Sequence, residues 1–215
     1  VTLYGLGAAL LLNQPVFGGA LLKVVILLPW AIPAVISGII WRWMYDERGG
    51  IINYALRASG LVDAPVGFLQ SFDWALPSVI FAGVWQTIGF YMIILLTGLQ
   101  SIPQNLYEAA RIDGAPAYAR FFRITLPMLR PSIFLCVVVG ILNSFTSFDL
   151  VYIMTNGGPG HATELLITHI YKSAFEQTKF DYAAALTVVQ FGLLLLLTYA
   201  ANKSAGGNAG AVEQD

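Results

Sequence analysis

The 215-residue chain is 57% hydrophobic and only 11% charged, with a formal net charge of −1 and a mean hydropathy of +0.71. A soluble domain carries about 25% charged residues, and a surface this apolar would aggregate in water, so composition excludes a soluble domain and points to an integral membrane protein. The charge balance gives no basic footprint for nucleic acid, and the single cysteine, Cys136, excludes a disulfide framework within the chain.

The first apolar run, from Leu3 to Leu12, is shorter than the roughly 20 residues that a bilayer core requires. It is expected to be the tail of a helix whose start precedes Val1, so that the chain is N-terminally incomplete. Four longer segments follow: Gly19 to Met44 with Pro29 and Pro33, Trp74 to Leu99 with Pro77 near its start, Pro131 to Thr155, and Tyr182 to Ala201. Each is long enough to cross a core about 30 Å thick at about 1.5 Å per residue. The expected fold is all-α, a polytopic transmembrane bundle with about five helices visible over residues 1–203. A polar tail at 204–215 is expected to be disordered. Between the first spans, Ile51, Ile52, Ala55 and Leu56 form one helical stripe. The run 162–177 also reads as an amphipathic helix, following the turn "TNGGPG" at 155–160. Both are read as lying along the membrane surface, with ordinary loop packing as the alternative.

The loop at 100–130 is the most basic part of the chain, with Arg111, Arg120, Arg123 and Arg130. This concentration of cations places it on the cytoplasmic side. Ser101 and Gln104 have capping-box spacing, which predicts a helix from about Pro103 to Asp113. Gly114 can take the left-handed conformation that stops a helix. Pro116 suits the start of a second helix to about Leu126, which Pro127 ends, and Pro131 opens the next span. Leu106, Ala109 and Ala110 give a low-profile surface that could enter a groove on a partner, with Glu108 and the arginines setting register by charge. A solvated charged loop explains the same composition.

Glu108, Ala109 and Ala110, then Gly114, then Ile124, Leu126 and Pro127 follow the pattern EAA, three residues, G, nine residues, I-x-LP. This loop resembles the signature of the inner-membrane permeases of binding-protein-dependent ABC importers. The stretches "LPWAIPAVISGIIWRWMY" (28–45), "GLQSIPQNLYEAARIDGA" (98–115) and "FDLVYIMTNGGPGHATE" (148–164) are similar to the carbohydrate branch, of maltose and glycerol-3-phosphate type. The resemblance implies a type I importer permease fold in the plasma (inner) membrane. It also implies a cytoplasmic ATPase docked on the loop through Glu108, Ala109, Ala110, Asp113, Gly114, Ile124, Leu126 and Pro127. The outer loops would face an extracytoplasmic solute-binding protein, and a second permease subunit, expected to form a heterodimer, would complete the pore in the lipid bilayer. The sequence holds no G-x-x-x-x-G-K-[ST] phosphate loop, so no cofactor is expected on this chain and ATP would be bound by the partner subunit. No enzyme activity is expected.

Polar residues inside spans usually face a bundle interior or a cavity. Asn143, Ser144, Thr146, Ser147, Phe148 and, in the preceding span, Gln86 are therefore candidates to line a solute path. Gly140 and Ser144 could equally be a small-residue packing pair between helices. No Lys or Arg lies mid-span, which favours a neutral sugar over an anionic solute. His161, Glu164 and His169 are too loosely spaced to imply a metal, and none is expected. A self-contained secondary transporter or channel would need intramembrane ion-coupling groups or an internal repeat, and neither is evident in the sequence.

Overall fold

The computed structural model describes residues 1–14 and 17–209. Every regular element among them is helical. The chain opens with α1 (Thr2–Leu12), α2 (Gly19–Ala31), α3 (Ala34–Met44) and α4 (Ile51–Ala58). Helices α5 (Ala75–Gln100), α6 (Gln104–Ile112) and α7 (Ala117–Arg120) follow. A π turn (Phe121–Thr125) joins α7 to α8 (Leu126–Met128). The remainder comprises α9 (Arg130–Thr146), α10 (Asp149–Thr155), α11 (Leu166–Tyr171), a second π turn (Lys172–Glu176) and α12 (Phe180–Ala209). Among the described residues, two helices, at Ala75–Gln100 and Phe180–Lys203, are long and apolar enough to cross a membrane. Up to four spans result if the bent pairs α2 with α3 and α7–α8 with α9 each count as one.

Two expected spans are broken, and the breaks have different causes. The span from Gly19 to Met44 stops at Ala31 and restarts at Ala34, with Pro33 extended at ψ 138. Pro33 has no N–H to donate, and its ring opposes the carbonyl four residues back. Pro29 is accommodated inside α2. The span from Pro131 to Thr155 stops at Thr146 and restarts at Asp149, although no proline or glycine lies between. Thr146 Oγ1 donates to the carbonyls of Leu142 at 3.0 Å and Asn143 at 3.4 Å, and Phe148 N–H turns back to Thr146 O at 2.8 Å. Ser and Thr compete with helical hydrogen bonds in this way. At the other end, α12 continues to Ala209, past Lys203 where the tail was expected to start. The rest of that tail, 210–215, lies outside the described residues.

The chain forms two compact units. The first combines Val1–Trp30, Thr87–Ile141 and the described residues from Thr198. Its core joins Ala9 and Leu12 of α1, Met92, Leu95, Leu96 and Leu99 of α5, Ile102, Leu129, and Cys136 of α9. Glycines let backbones approach closely here: a Cβ at Gly89 would overlap Ile26 O, and one at Gly98 would overlap Ser132 Oγ. Small residues serve this purpose in membrane helices, where packing rather than hydrophobic exclusion drives association. The second unit combines Ala31–Gln86 and Leu142–Leu197. Its core sets Trp41 and Tyr45 of α3 against Val79 and Ala82 of α5 and Leu150, Val151 and Met154 of α10. Gly38 faces Ile153 across the α3–α10 contact.

The residue that anchors α4 is not on the predicted apolar stripe. Ile51 is exposed, whereas Asn53 is buried. Asn53 Nδ2 donates to Asp46 O (3.2 Å) and Val66 O (3.0 Å), and its Oδ1 accepts from Val66 N (2.8 Å). One amide side chain thus ties the loop after α3 to the loop before α5. The predicted amphipathic run at 162–177 becomes helical only at Leu166. Thr168 Oγ1 accepts from Leu165 N (2.9 Å) at the helix start.

Candidate functional site

The loop at 100–130 is built from local rules and held by two anchors. Ile102 is buried in the first unit's core, and Pro103 starts α6 in an extended conformation. The Ser101–Gln104 capping box does not form. Ser101 Oγ instead donates back to Gly98 O at 2.8 Å, because Ser101 lies two residues before the actual cap. Helix α6 ends as predicted, with Gly114 at φ +72. Ala115 N–H donates to Ala110 O (2.9 Å) and Gly114 N–H to Arg111 O (3.1 Å), the paired bonds of a Schellman cap. Arg120 Nη1 then donates to Ala115 O at 2.8 Å, fixing α7 to the turn. Pro127 does not end the second helix. The backbone widens into the π turn at 121–125 and continues through Pro127 to Met128, which admits the proline because a π turn loosens the ladder before it. The second anchor is Tyr107, whose hydroxyl shares a hydrogen bond with that of buried Thr125 at 2.9 Å.

These anchors leave one surface uncovered. No residue of α6 is buried. Glu108, Ala109, Asp113 and Gly114 are exposed, while Ala110, Ile124, Leu126 and Pro127 are half-buried. Ile124 packs toward the core. Ile112 is 87% exposed, and Tyr118 and Phe122 are also exposed. Among the described residues, Glu108 forms no ion pair. The arrangement is a short helix with small side chains and one free carboxylate, rimmed by large apolar groups. Such a surface suits insertion into a protein groove.

The candidate path residues fall in the second unit. Asn143, Ser144, Thr146 and Ser147 are exposed on the last turns of α9 and its break. Phe148 stacks on Tyr152 (4.9 Å) and packs at a tilt against Tyr171 (4.7 Å). Gln86 is half-buried, and its Nε2 donates to Ile32 O at 3.2 Å, at the Pro33 break. Sequence reading did not single out Gln190. It is a buried polar residue of α12 whose Nε2 donates to Phe145 O at 3.0 Å, at the other break. Its only sequence signal is that it is an amide in the middle of an apolar run.

His161, Glu164 and His169 do converge, but as a charge cluster. Glu164 Oε2 lies 2.6 Å from His161 Nδ1 and 3.6 Å from His169 Nδ1, and Oε1 lies 3.3 Å from Lys172 Nζ. Lys172 Nζ also donates to Asn156 O at 2.7 Å. Burial pushes the Glu164 carboxyl up, yet hydrogen bonds from His161 and Lys172 and their charges outweigh it and hold the group below its usual range. Among the described residues, no group of three or more His, Cys, Asp or Glu side chains is arranged to hold a metal ion. The turn beside it has Asn156, Gly157 and Gly160 at positive φ, as its composition predicts.

The model of the family described as binding-protein-dependent transport system inner membrane component matches residues 2–204. The chain belongs to this family. It is 39% identical over 200 residues to the trehalose/maltose transport system permease protein MalF of Thermococcus litoralis, covering 92% of this chain and 66% of that protein. It is 37% identical over 194 residues to the sulfoquinovosyl glycerol transport system permease protein SmoG of Agrobacterium fabrum, covering 90% and 62%. A probable ABC transporter permease of Brucella suis is 37% identical over 190 residues, covering 88% and 66%. The chain therefore spans slightly less than two thirds of these curated relatives. Among solved structures, a bacterial ABC transporter involved in the import of the acidic polysaccharide alginate matches with a TM-score of 0.85 at 25% identity, covering 95% of this chain and 72% of that one. These matches bear out the expected family, the helical permease fold and the inner-membrane placement.

Proposed function

We propose that this chain is the pore-forming permease subunit of an ATP-driven importer, passing a sugar or related solute delivered by an extracytoplasmic binding protein. The observation that carries the reading is the exposed α6–Gly114–α7 surface, which has the family's loop pattern and, among the described residues, no ion-pair partner for Glu108. A separate ATPase would bind ATP and grip this surface through Glu108, Ala109, Ala110, Asp113 and Gly114. Ile124, Leu126 and Pro127 would transmit its movement to α9, since Ile124 packs against the core that includes Cys136 of α9 and α8 runs on into α9. The chain supplies no hydrolysis of its own, so it acts as a conduit and not as an enzyme. A second, different permease subunit would complete the pore, consistent with the many large apolar side chains exposed on α12. Asn143, Ser144, Thr146, Ser147, Phe148 and Gln86 would line the path, offering hydroxyl and amide groups with an aromatic face. The relatives' names cover neutral and anionic solutes alike, so the preference for a neutral sugar rests on the lack of a mid-span cation.

The test is reconstitution with the candidate ATPase, second permease and binding protein in proteoliposomes. Radiolabelled trehalose, maltose and glycerol-3-phosphate are offered in turn. ATP-dependent accumulation of at least one neutral sugar is expected. Uptake that persists without the ATPase would refute the reading.

A further inference from the structure

Both broken spans leave carbonyls that a continuous helix would satisfy, and a carbonyl orphaned in apolar surroundings is costly. In each case a glutamine from a neighbouring long helix supplies the missing donor: Gln86 of α5 to Ile32 O, and Gln190 of α12 to Phe145 O. The two breaks are not equivalent. At Pro33 the missing N–H and the ring forbid a straight helix whatever Gln86 does. At 147–148 nothing in the backbone forbids it. Asn143, Ser144, Phe145, Thr146, Ser147 and Phe148 can all adopt helical geometry, and a continuous helix would pair Phe145 O with the amide of Asp149. That amide lies in the first turn of α10, where a helix cannot satisfy its own donors.

We infer that Gln190 is a latch that holds α9 and α10 bent at residues 147–148, so that this break, unlike the one at Pro33, is convertible to a straight helix. The latch is a single hydrogen bond. The amide's other end, Gln190 Oε1, is buried and has no hydrogen-bond partner among the described residues, so no second hydrogen bond fixes the side chain. Thr146 Oγ1 favours the bend by covering Leu142 O and Asn143 O, but those carbonyls lie further back and a straight helix satisfies them with its own amides. Gln190 thereby becomes a positioning residue. It sets whether Ser147 and Phe148 sit in an open turn or within a helix, and so how the proposed path is presented. The inference extends the transport reading but does not depend on any solute for its test.

The experiment is hydrogen exchange at the Asp149 amide in the full chain in lipid nanodiscs, normalised to intrinsic rates. In Gln190→Met, which keeps size but removes the donor, exchange at Asp149 should slow by about tenfold, the shift expected from moving one hydrogen bond. Mere loosening of the structure would speed it instead. Gln190→Glu provides an internal switch. It should match the parent at the acidic end of a pH series, where the carboxyl has a proton to donate, and the methionine variant at the alkaline end. Gln86→Met should leave the Pro33 break in place and Asp149 exchange unchanged. Exchange at Asp149 that is unchanged or faster in Gln190→Met, or a pH-independent Gln190→Glu, overturns the latch. Because no solute or ATPase is present, this outcome is separable from a failure of ATP-driven uptake.

Discussion

Gly114 offers the cleanest perturbation of the proposed coupling surface. It sits at φ +72, and a Cβ placed on it would meet nothing within 4 Å, so a substitution there acts through backbone strain alone. The left-handed conformation costs an L-residue about 1–2 kcal/mol, and more when the residue is β-branched. The two cap hydrogen bonds are worth about 0.5–1.5 kcal/mol each, so strain of that size is enough to open the turn. Gly114→Ala should raise the opened population by about 5–30-fold, Gly114→Val should raise it further, and Gly114→Asn should stay near the parent because Asn tolerates this region. Hydrogen exchange at the Ala115 amide, the donor to Ala110 O, reads the opening directly. ATPase stimulation in the reconstituted complex reads its consequence and should fall in the order Asn, Ala, Val. If Gly114→Val keeps parental protection at Ala115, or if Asn is as damaging as Val, the strain argument is wrong.

Asn53→Ala removes three hydrogen bonds to Asp46 and Val66 and should lower stability by about 2–4 kcal/mol, seen as a reduced thermal midpoint in nanodiscs; Ile51→Ala on the exposed stripe should change it little. Gly98→Ala would force a methyl onto Ser132 Oγ and to 2.9 Å from Leu129 Cδ2, and should cost about 1–3 kcal/mol, with partial recovery when Ser132→Ala is added. Glu164 has a depressed carboxyl, so its contribution to the 156–172 loop is present above the unfolded carboxylate range and is lost as pH falls through the lower folded value. Amide protection in that loop should therefore drop only at acidic pH, and Glu164→Gln should abolish the dependence.

What the sequence made legible was whatever a single residue enforces on its own backbone. Gly114 can take the positive φ that stops a helix, and Pro33 lacks the N–H that a continuous helix would use. The EAA pattern falls where α6 places it for the same reason. What stayed hidden depends on partners distant in sequence. The break at 147–148 has no proline or glycine to announce it and exists beside Gln190, 45 residues away in sequence. Asn53 anchors α4 by reaching Val66 across 13 positions, whereas on the predicted stripe Ile51 is exposed and Ile52 is only half-buried against the second unit's core. The capping box failed because α6 starts at a cap on Pro103, two residues past Ser101. Pro127 failed as a stop because the π turn before it had already loosened the ladder.

The central claim is that the α6 surface is where a separate ATPase grips. It is tested most directly by the affinity of that ATPase for the permease complex in nanodiscs when Ala109 is changed to Arg. The small side chain is what lets α6 enter a groove, so binding should weaken at least tenfold, about 1.4 kcal/mol, with Lys179→Ala as an unaffected control. Parental affinity in Ala109→Arg would contradict the claim.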